Sequence, residues 1–253
     1  MDRFVELVGL SAAMGLAIYL SLPVVLRKKT GSRSVTFLNA AAIGILVFLV
    51  ADVFSDVATL IYTNPANPYV ATSADVAYFV AAVGGSFLLL YVLEHRSREV
   101  LSPAKMALII ATAIGFQNLT EGLVFGEFWA AGTVGLSTVV FVGFFLQNVT
   151  EGFPITSPFL ARSDFRLASV ALIFLVGGLP TIVGGIGGFF YTSPTIELVF
   201  DSLAIGSILY ALLPMLRLAM RPAVPPETTF VRQRLLYLGL LTGFLVGFLV
   251  NAV

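Results

Sequence analysis

The phrase Gln117-Asn118-Leu119-Thr120-Glu121-Gly122 returns 30 residues later as Gln147-Asn148-Val149-Thr150-Glu151-Gly152. Five of the six positions are identical and the sixth exchanges one aliphatic side chain for another. On a helix, residues i and i+4 share a face. Gln117 therefore projects with Glu121, and Gln147 with Glu151, while Asn118 and Asn148 sit about 100° further around. If the two copies lie on consecutive antiparallel helices, a register that sets Gln117 level with Glu151 also sets Glu121 level with Gln147, with the hairpin centred near Val134. The product is an oxygen-rich cluster holding two carboxylates, which Asn118 and Asn148 extend. Two carboxylates in a dry setting repel each other, a conflict that either a proton or a divalent cation resolves. Carboxylate and amide oxygens suit divalent cations generally and hard ones best, so the residues by themselves favour Mn²⁺, Mg²⁺ or another hard ion. The same side chains can also bond neighbouring helices together with no ion present.

The elements that must carry these residues are apolar. The chain has 253 residues, 58% hydrophobic and 11% charged, with a mean hydropathy of +0.99. A typical soluble domain carries about 25% charged residues. So few charges cannot solvate the surface of a water-soluble fold of this size, which excludes a soluble enzyme and points to an all-α polytopic membrane protein, a single integral membrane domain over residues 1–253. The formal net charge is zero, so there is no bulk basic field for nucleic acid. The absence of cysteine removes thiolate metal sites, Fe–S clusters and disulfides, and the single histidine rules out an imidazole cage. No hydrolase triad, phosphate loop or nucleotide signature occurs, so no enzyme activity and no organic cofactor are expected. No lysine lies deep in a span, because Lys105 sits at a span mouth, which argues against a retinal Schiff base.

A spanning helix needs about 20 mostly apolar residues. Eight stretches qualify, at roughly 4–26, 36–62, 74–93, 104–126, 135–160, 166–190, 195–216 and 232–252. The first lacks a basic start and an Ala-x-Ala exit and so reads as a span rather than a signal peptide. Short connections rich in Pro and Asn separate several of them, including Asn64–Pro68 and Pro222–Pro226. Charge tests the count. Arg27, Lys28, Lys29 and Arg33 follow span 1; Arg96, Arg98 and Lys105 follow span 3; Arg162 and Arg166 follow span 5; Arg217, Arg221, Arg232 and Arg234 follow span 7. Of the 14 Lys and Arg, only Arg3 falls on the other side. By the positive-inside rule both termini are expected outside, with the chain in the cell membrane.

Ionisable groups inside a span cost about 2.5–3.5 kcal/mol each near its centre and usually mark function. Besides Glu121 and Glu151, the spans hold Asp52 and Asp56 at i, i+4 and Asp201, which together form a candidate access path for cations; a solvated helix end explains them equally well. Asp75, Glu127 and Glu197 sit nearer the outer ends. Gly184, Gly185, Gly187 and Gly188 in span 6 suit close helix packing or a sliding surface. Trp129 suits an interfacial belt and His95 an exposed loop position.

The duplicated Gln-Asn-x-Thr-Glu-Gly, on spans 4 and 5 of eight with both termini outside, resembles the ZIP family (Zrt/Irt-like proteins) of divalent metal transporters. Those proteins carry His-Asn-x-x-Glu-Gly-type motifs on the same two spans. The resemblance implies a ZIP-like bundle and a carrier for zinc, iron, manganese or cadmium-class ions as substrate. It implies metal ligation by Gln117, Asn118, Glu121, Gln147, Asn148 and Glu151, with partners limited to divalent ions and lipid and a homodimer admissible. Gln117 and Gln147 stand where the family usually has His. Thr120 and Thr150 replace a frequent Pro, while Pro154 is placed to kink span 5 and free the carbonyl of Thr150. Gly177-Gly178-Leu179-Pro180-Thr181 replaces a frequent Glu beside a Pro, and the long His-rich loop before span 4 is missing. Two further functions stay open at this point: a non-transporting receptor or scaffold on such a fold, and a carrier for a different cation or a small solute.

Overall fold

A computed structural model describes residues 2–24, 31–62, 71–96, 102–160, 162, 164–191, 193–220 and 229–252. Arg27, Lys28, Lys29, Arg98, Arg221 and the two Pro-rich connections lie outside these. The described chain is all-helical: α1 (Asp2–Leu16) continued by a 3-10 segment (Ala17–Val24), α2 (Ser32–Tyr62), α3 (Ser73–Arg96), α4 (Pro103–Ala131), α5 (Val134–Thr156) with a short 3-10 turn (Ser157–Phe159), α6 (Leu167–Phe190), α7 (Pro194–Met220) and α8 (Thr229–Asn251). Eight of these helical stretches are long and apolar enough to cross a membrane. The protein is an all-α polytopic membrane protein.

Two boundaries depart from the sequence reading for local reasons. The first span does not stay α-helical to its end. Pro23 has no N–H to return to the preceding turn, and the chain tightens into a 3-10 segment from Ala17. The fourth runs to Ala131 rather than ending near 126, because Gly132 adopts φ 76° and closes the helix, donating its N–H to Trp129 O at 3.2 Å. The extra turn meets α1. Arg3 Nη2 donates to Trp129 O at 2.6 Å, and Trp129 Nε1 donates to Arg3 O at 2.8 Å. A cation thus sits at the negative end of the α4 dipole.

The pairings establish an up-and-down arrangement. Close approaches of Gly44 to Leu240 and Gly247 to Phe48, with Asn251 bonded to Asp52, make α2 and α8 parallel. Gly115 against Val176, Gly122 against Thr181 and Gly126 against Gly185 make α4 and α6 parallel. Ser86 against Gly206 and Glu94 bonded to Tyr210 make α3 and α7 parallel. Even-numbered helices therefore run one way and odd-numbered ones the other. Arg33, Arg96, Lys105, Arg166, Arg217 and Arg232 consequently gather at one end, and Arg3 lies at the other.

Two four-helix groups emerge. α4 packs most extensively on α6, α6 on α1, and α5 on α4 and on the 3-10 segment after α1; α2 packs on α8 and α7, and α7 on α3, while α4 against α7, as extensive as α2 against α7, joins the two groups. The glycines of the repeated phrase explain the first group. A Cβ on Gly122 would lie 2.3 Å from the Thr181 carbonyl oxygen, and one on Gly152 would lie 2.3 Å from the Ile18 carbonyl oxygen. Only glycine allows backbones that near, and dispersion and backbone contact then hold the helices where the surrounding lipid gives no hydrophobic drive. Span 6 glycines serve the same packing: a Cβ on Gly184 or Gly188 would reach 2.1 or 2.0 Å from carbonyls of α4.

Candidate functional site

α4 and α5 form a hairpin turned at Gly132 and Thr133, just before the expected centre, and bring the two copies of the phrase together in the bundle. The six Gln, Asn and Glu side chains are buried, none more than 6% exposed. Their bonds define the geometry. Asn118 Nδ2 donates to Asn148 Oδ1 at 2.8 Å across the helix pair, and to the Gly177 carbonyl of α6 at 2.9 Å. Asn148 Nδ2 donates to Glu121 Oε2 at 3.4 Å and to Phe144 O at 3.0 Å. Each glutamine bonds the glutamate one turn on in its own helix: Gln117 Nε2 to Glu121 Oε1 at 3.2 Å, and Gln147 Nε2 to Glu151 Oε1 at 3.3 Å. The i, i+4 pairing expected from the sequence is thus present. The bonds between the two helices, by contrast, are made by the asparagines and by Asn148 with Glu121, rather than by each glutamine with the opposite glutamate.

What is left over is one-sided. Gln117 Oε1, Asn118 Oδ1, Gln147 Oε1 and Glu151 Oε2 are buried acceptors without a donor. Buried polar groups are almost always paired, so four orphan oxygens on one duplicated phrase require a physical account. Glu121 and Glu151 thus bring two buried carboxyl groups into one cluster.

A cavity of about 350 Å³ leads to this cluster. Gln117, Thr120, Glu121, Phe144 and Gln147 line its inner part, and Asp52, Asp56, Thr59, Glu197, Asp201 and Asn251 the rest. It lies toward the end of the bundle that holds the start of α7 and the end of α8, away from the gathered arginines. Five carboxylates and no Lys or Arg line it, so its field concentrates cations. Asp201 is buried at 4% exposure, whereas Asp52 is partly buried and Asp56 is exposed. The structure thus joins all three aspartates of the candidate access path to Glu121. Asn251 and Glu197 complete the wall. Asn251 donates to Asp52 Oδ1 at 2.5 Å, and nothing in the sequence distinguished this asparagine from an ordinary helix-end residue.

Toward the arginine end the way is closed. Ile18, Ile110, Ile114, Ile155, Phe159 and Phe174 are fully buried there. A polar seam crosses this layer, where Ser157 Oγ donates to Asn39 Oδ1 at 2.8 Å and approaches Met215 Sδ at 3.7 Å. It joins the two helix groups and was not legible in the sequence. His95 takes no part; it is exposed at the end of α3 and stacks on Tyr91 with ring centroids 4.2 Å apart. Among the described residues no three His, Cys, Asp or Glu side chains gather as a metal-holding group. Any cation on this cluster must therefore be held partly by the amides.

No family model matches the chain, and no curated protein matches it.

Proposed function

We propose that this protein is a carrier for divalent metal cations, as its ZIP-like motif and span count suggest. The observation that supports this most is the set of four donorless buried oxygens on the repeated phrase, beside a cavity whose five charged side chains are all acidic. Ions leave water along Asp56, Asp52 and Asp201 and dehydrate onto Glu121, Glu151 and the amide oxygens of Gln117, Gln147 and Asn118. The cation supplies the charge that two adjacent carboxylates lack. The cavity opens on the outer side and the termini lie outside the cell membrane, in keeping with the one-sided arginines. Release inward follows when the two helix groups shift and the Asn39–Ser157 seam parts, which gives alternating access around a fixed site. Uptake of a panel of divalent ions into proteoliposomes tests the proposal. Wild type is expected to transport, and the Glu121→Ala/Glu151→Ala double variant is expected to lose transport. Unchanged uptake in that variant would refute the mechanism.

A second reading has its own support. Asn118 and Asn148 tie α4, α5 and α6 together, as helix glue in a non-transporting scaffold would. Thermal unfolding in detergent separates the two. A ligand at 100 times its dissociation constant stabilises the folded state by about 2.7 kcal/mol, so a rise in Tm with a divalent ion favours the carrier. No shift with any of them favours the scaffold.

A further inference from the structure

The repeated phrase is symmetric in sequence and asymmetric in its bonding. Asn148 is engaged at both ends, accepting from Asn118 and donating to Glu121 and to Phe144 O. Asn118 donates twice, leaving Oδ1 free, and both glutamines donate to their own glutamates, leaving Oε1 free. Every amide nitrogen in the cluster makes at least one bond, and the atoms that make none are all oxygens. A bare cation needs acceptors alone, and the four unbonded oxygens are acceptors. Three of the four free oxygens are neutral amide carbonyls and the fourth belongs to Glu151. With Glu121 they make a donor set of oxygens alone, whose two carboxylates, when ionised, would match the charge of one divalent ion. No imidazole or thiolate supplements it: the chain has no cysteine, and its one histidine is exposed at the end of α3.

Resting on the carrier reading above, we propose that this site takes hard divalent cations, including the alkaline-earth ions, and that the amide oxygens of Gln117, Asn118 and Gln147 set this selectivity. Carboxylate and carbonyl oxygens suit Mg²⁺, Ca²⁺ and Mn²⁺, whereas an imidazole in the shell strengthens the hold on Zn²⁺ and Cd²⁺. The glutamines are the positions where that choice is made, because each sits on the cavity wall beside a glutamate.

The experiment is Mn²⁺ uptake by the intact protein in proteoliposomes, with Mg²⁺, Ca²⁺, Zn²⁺ and Cd²⁺ as competitors, for wild type, Gln117→His/Gln147→His and Glu121→Gln/Glu151→Gln. In wild type, Mg²⁺ or Ca²⁺ is expected to compete at concentrations within about tenfold of Mn²⁺ itself. The double histidine variant is expected to lose that competition and to gain at least about tenfold in sensitivity to Zn²⁺. If neither alkaline-earth ion competes in wild type while Zn²⁺ and Cd²⁺ do, the selectivity proposal falls and the carrier reading survives. A histidine variant that transports Mn²⁺ with unaltered competition also overturns the assignment to the glutamines. If wild type moves no divalent ion, or the double Gln variant of the glutamates moves Mn²⁺ as well as wild type, the carrier reading itself fails. The wild-type competition needs no variant to fold.

Discussion

Glu121 and Glu151 differ in how fully the protein itself engages them. Glu121 accepts from Gln117 and Asn148, so both its oxygens are engaged within the protein, whereas Glu151 keeps Oε2 free. Truncating Asn148 removes two bonds between buried partners and leaves Asn118 Nδ2 and Glu121 Oε2 short of a bond each. Asn148→Ala is expected to destabilise the ion-free protein by about 1–3 kcal/mol, measured by unfolding in detergent. Gln147→Leu is expected to behave differently. It removes a buried oxygen that has no donor and leaves Glu151 Oε1 without one in its place, so the number of orphan acceptors is unchanged. The ion-free Tm should change little while stabilisation by Mn²⁺ disappears. Equal losses of stability in both variants would make the glutamines glue rather than ligands.

At the scale of elements, the glycines of the phrase position the site without touching it. Gly122→Val and Gly152→Val force a side chain against Thr181 and against Ile18 and Ser21, and overpacking of this kind costs about 1–3 kcal/mol. Gly143→Ala, in the same helix as Gly152 but with open space around its Cβ, should leave the Tm near that of wild type. The eight helices, their alternation and the i, i+4 pairing of Gln with Glu were legible in the sequence, because apolar length, charge asymmetry and helical period are all local signals. The 3-10 segment after Leu16 and the extra turn of α4 had signals too, in Pro23 and Gly132, but which of several prolines and glycines acts depends on packing. The central role of the asparagines was hidden for a different reason. Spacing places residues on a face but does not say how two helices rotate about their axes, and here glycine contacts with α6 and with the 3-10 segment set that rotation.

For the whole molecule, the division into two helix groups carries the functional consequence. The cluster belongs to α4 and α5, while Asp52, Asp56, Asp201 and Asn251 of the cavity wall belong to α2, α7 and α8. On the carrier reading, a movement of one group against the other would alter the cavity while leaving the α4–α5 cluster intact. The Asn39–Ser157 bond crosses the groups on the closed side. Because the chain contains no cysteine, an Asn39→Cys/Ser157→Cys pair can be introduced cleanly. Oxidation is expected to abolish divalent uptake and reduction to restore it. Full uptake by the cross-linked protein would show that this seam does not part during transport.

A cation held on the duplicated phrase would be seen by anomalous scattering from crystals of the protein soaked in Mn²⁺. A Mn²⁺ peak bounded by Gln117, Asn118, Glu121, Gln147 and Glu151 is expected, absent in crystals of Glu121→Gln/Glu151→Gln. An undisturbed hydrogen-bonded cluster with no peak among these residues, in crystals saturated with Mn²⁺, would contradict it.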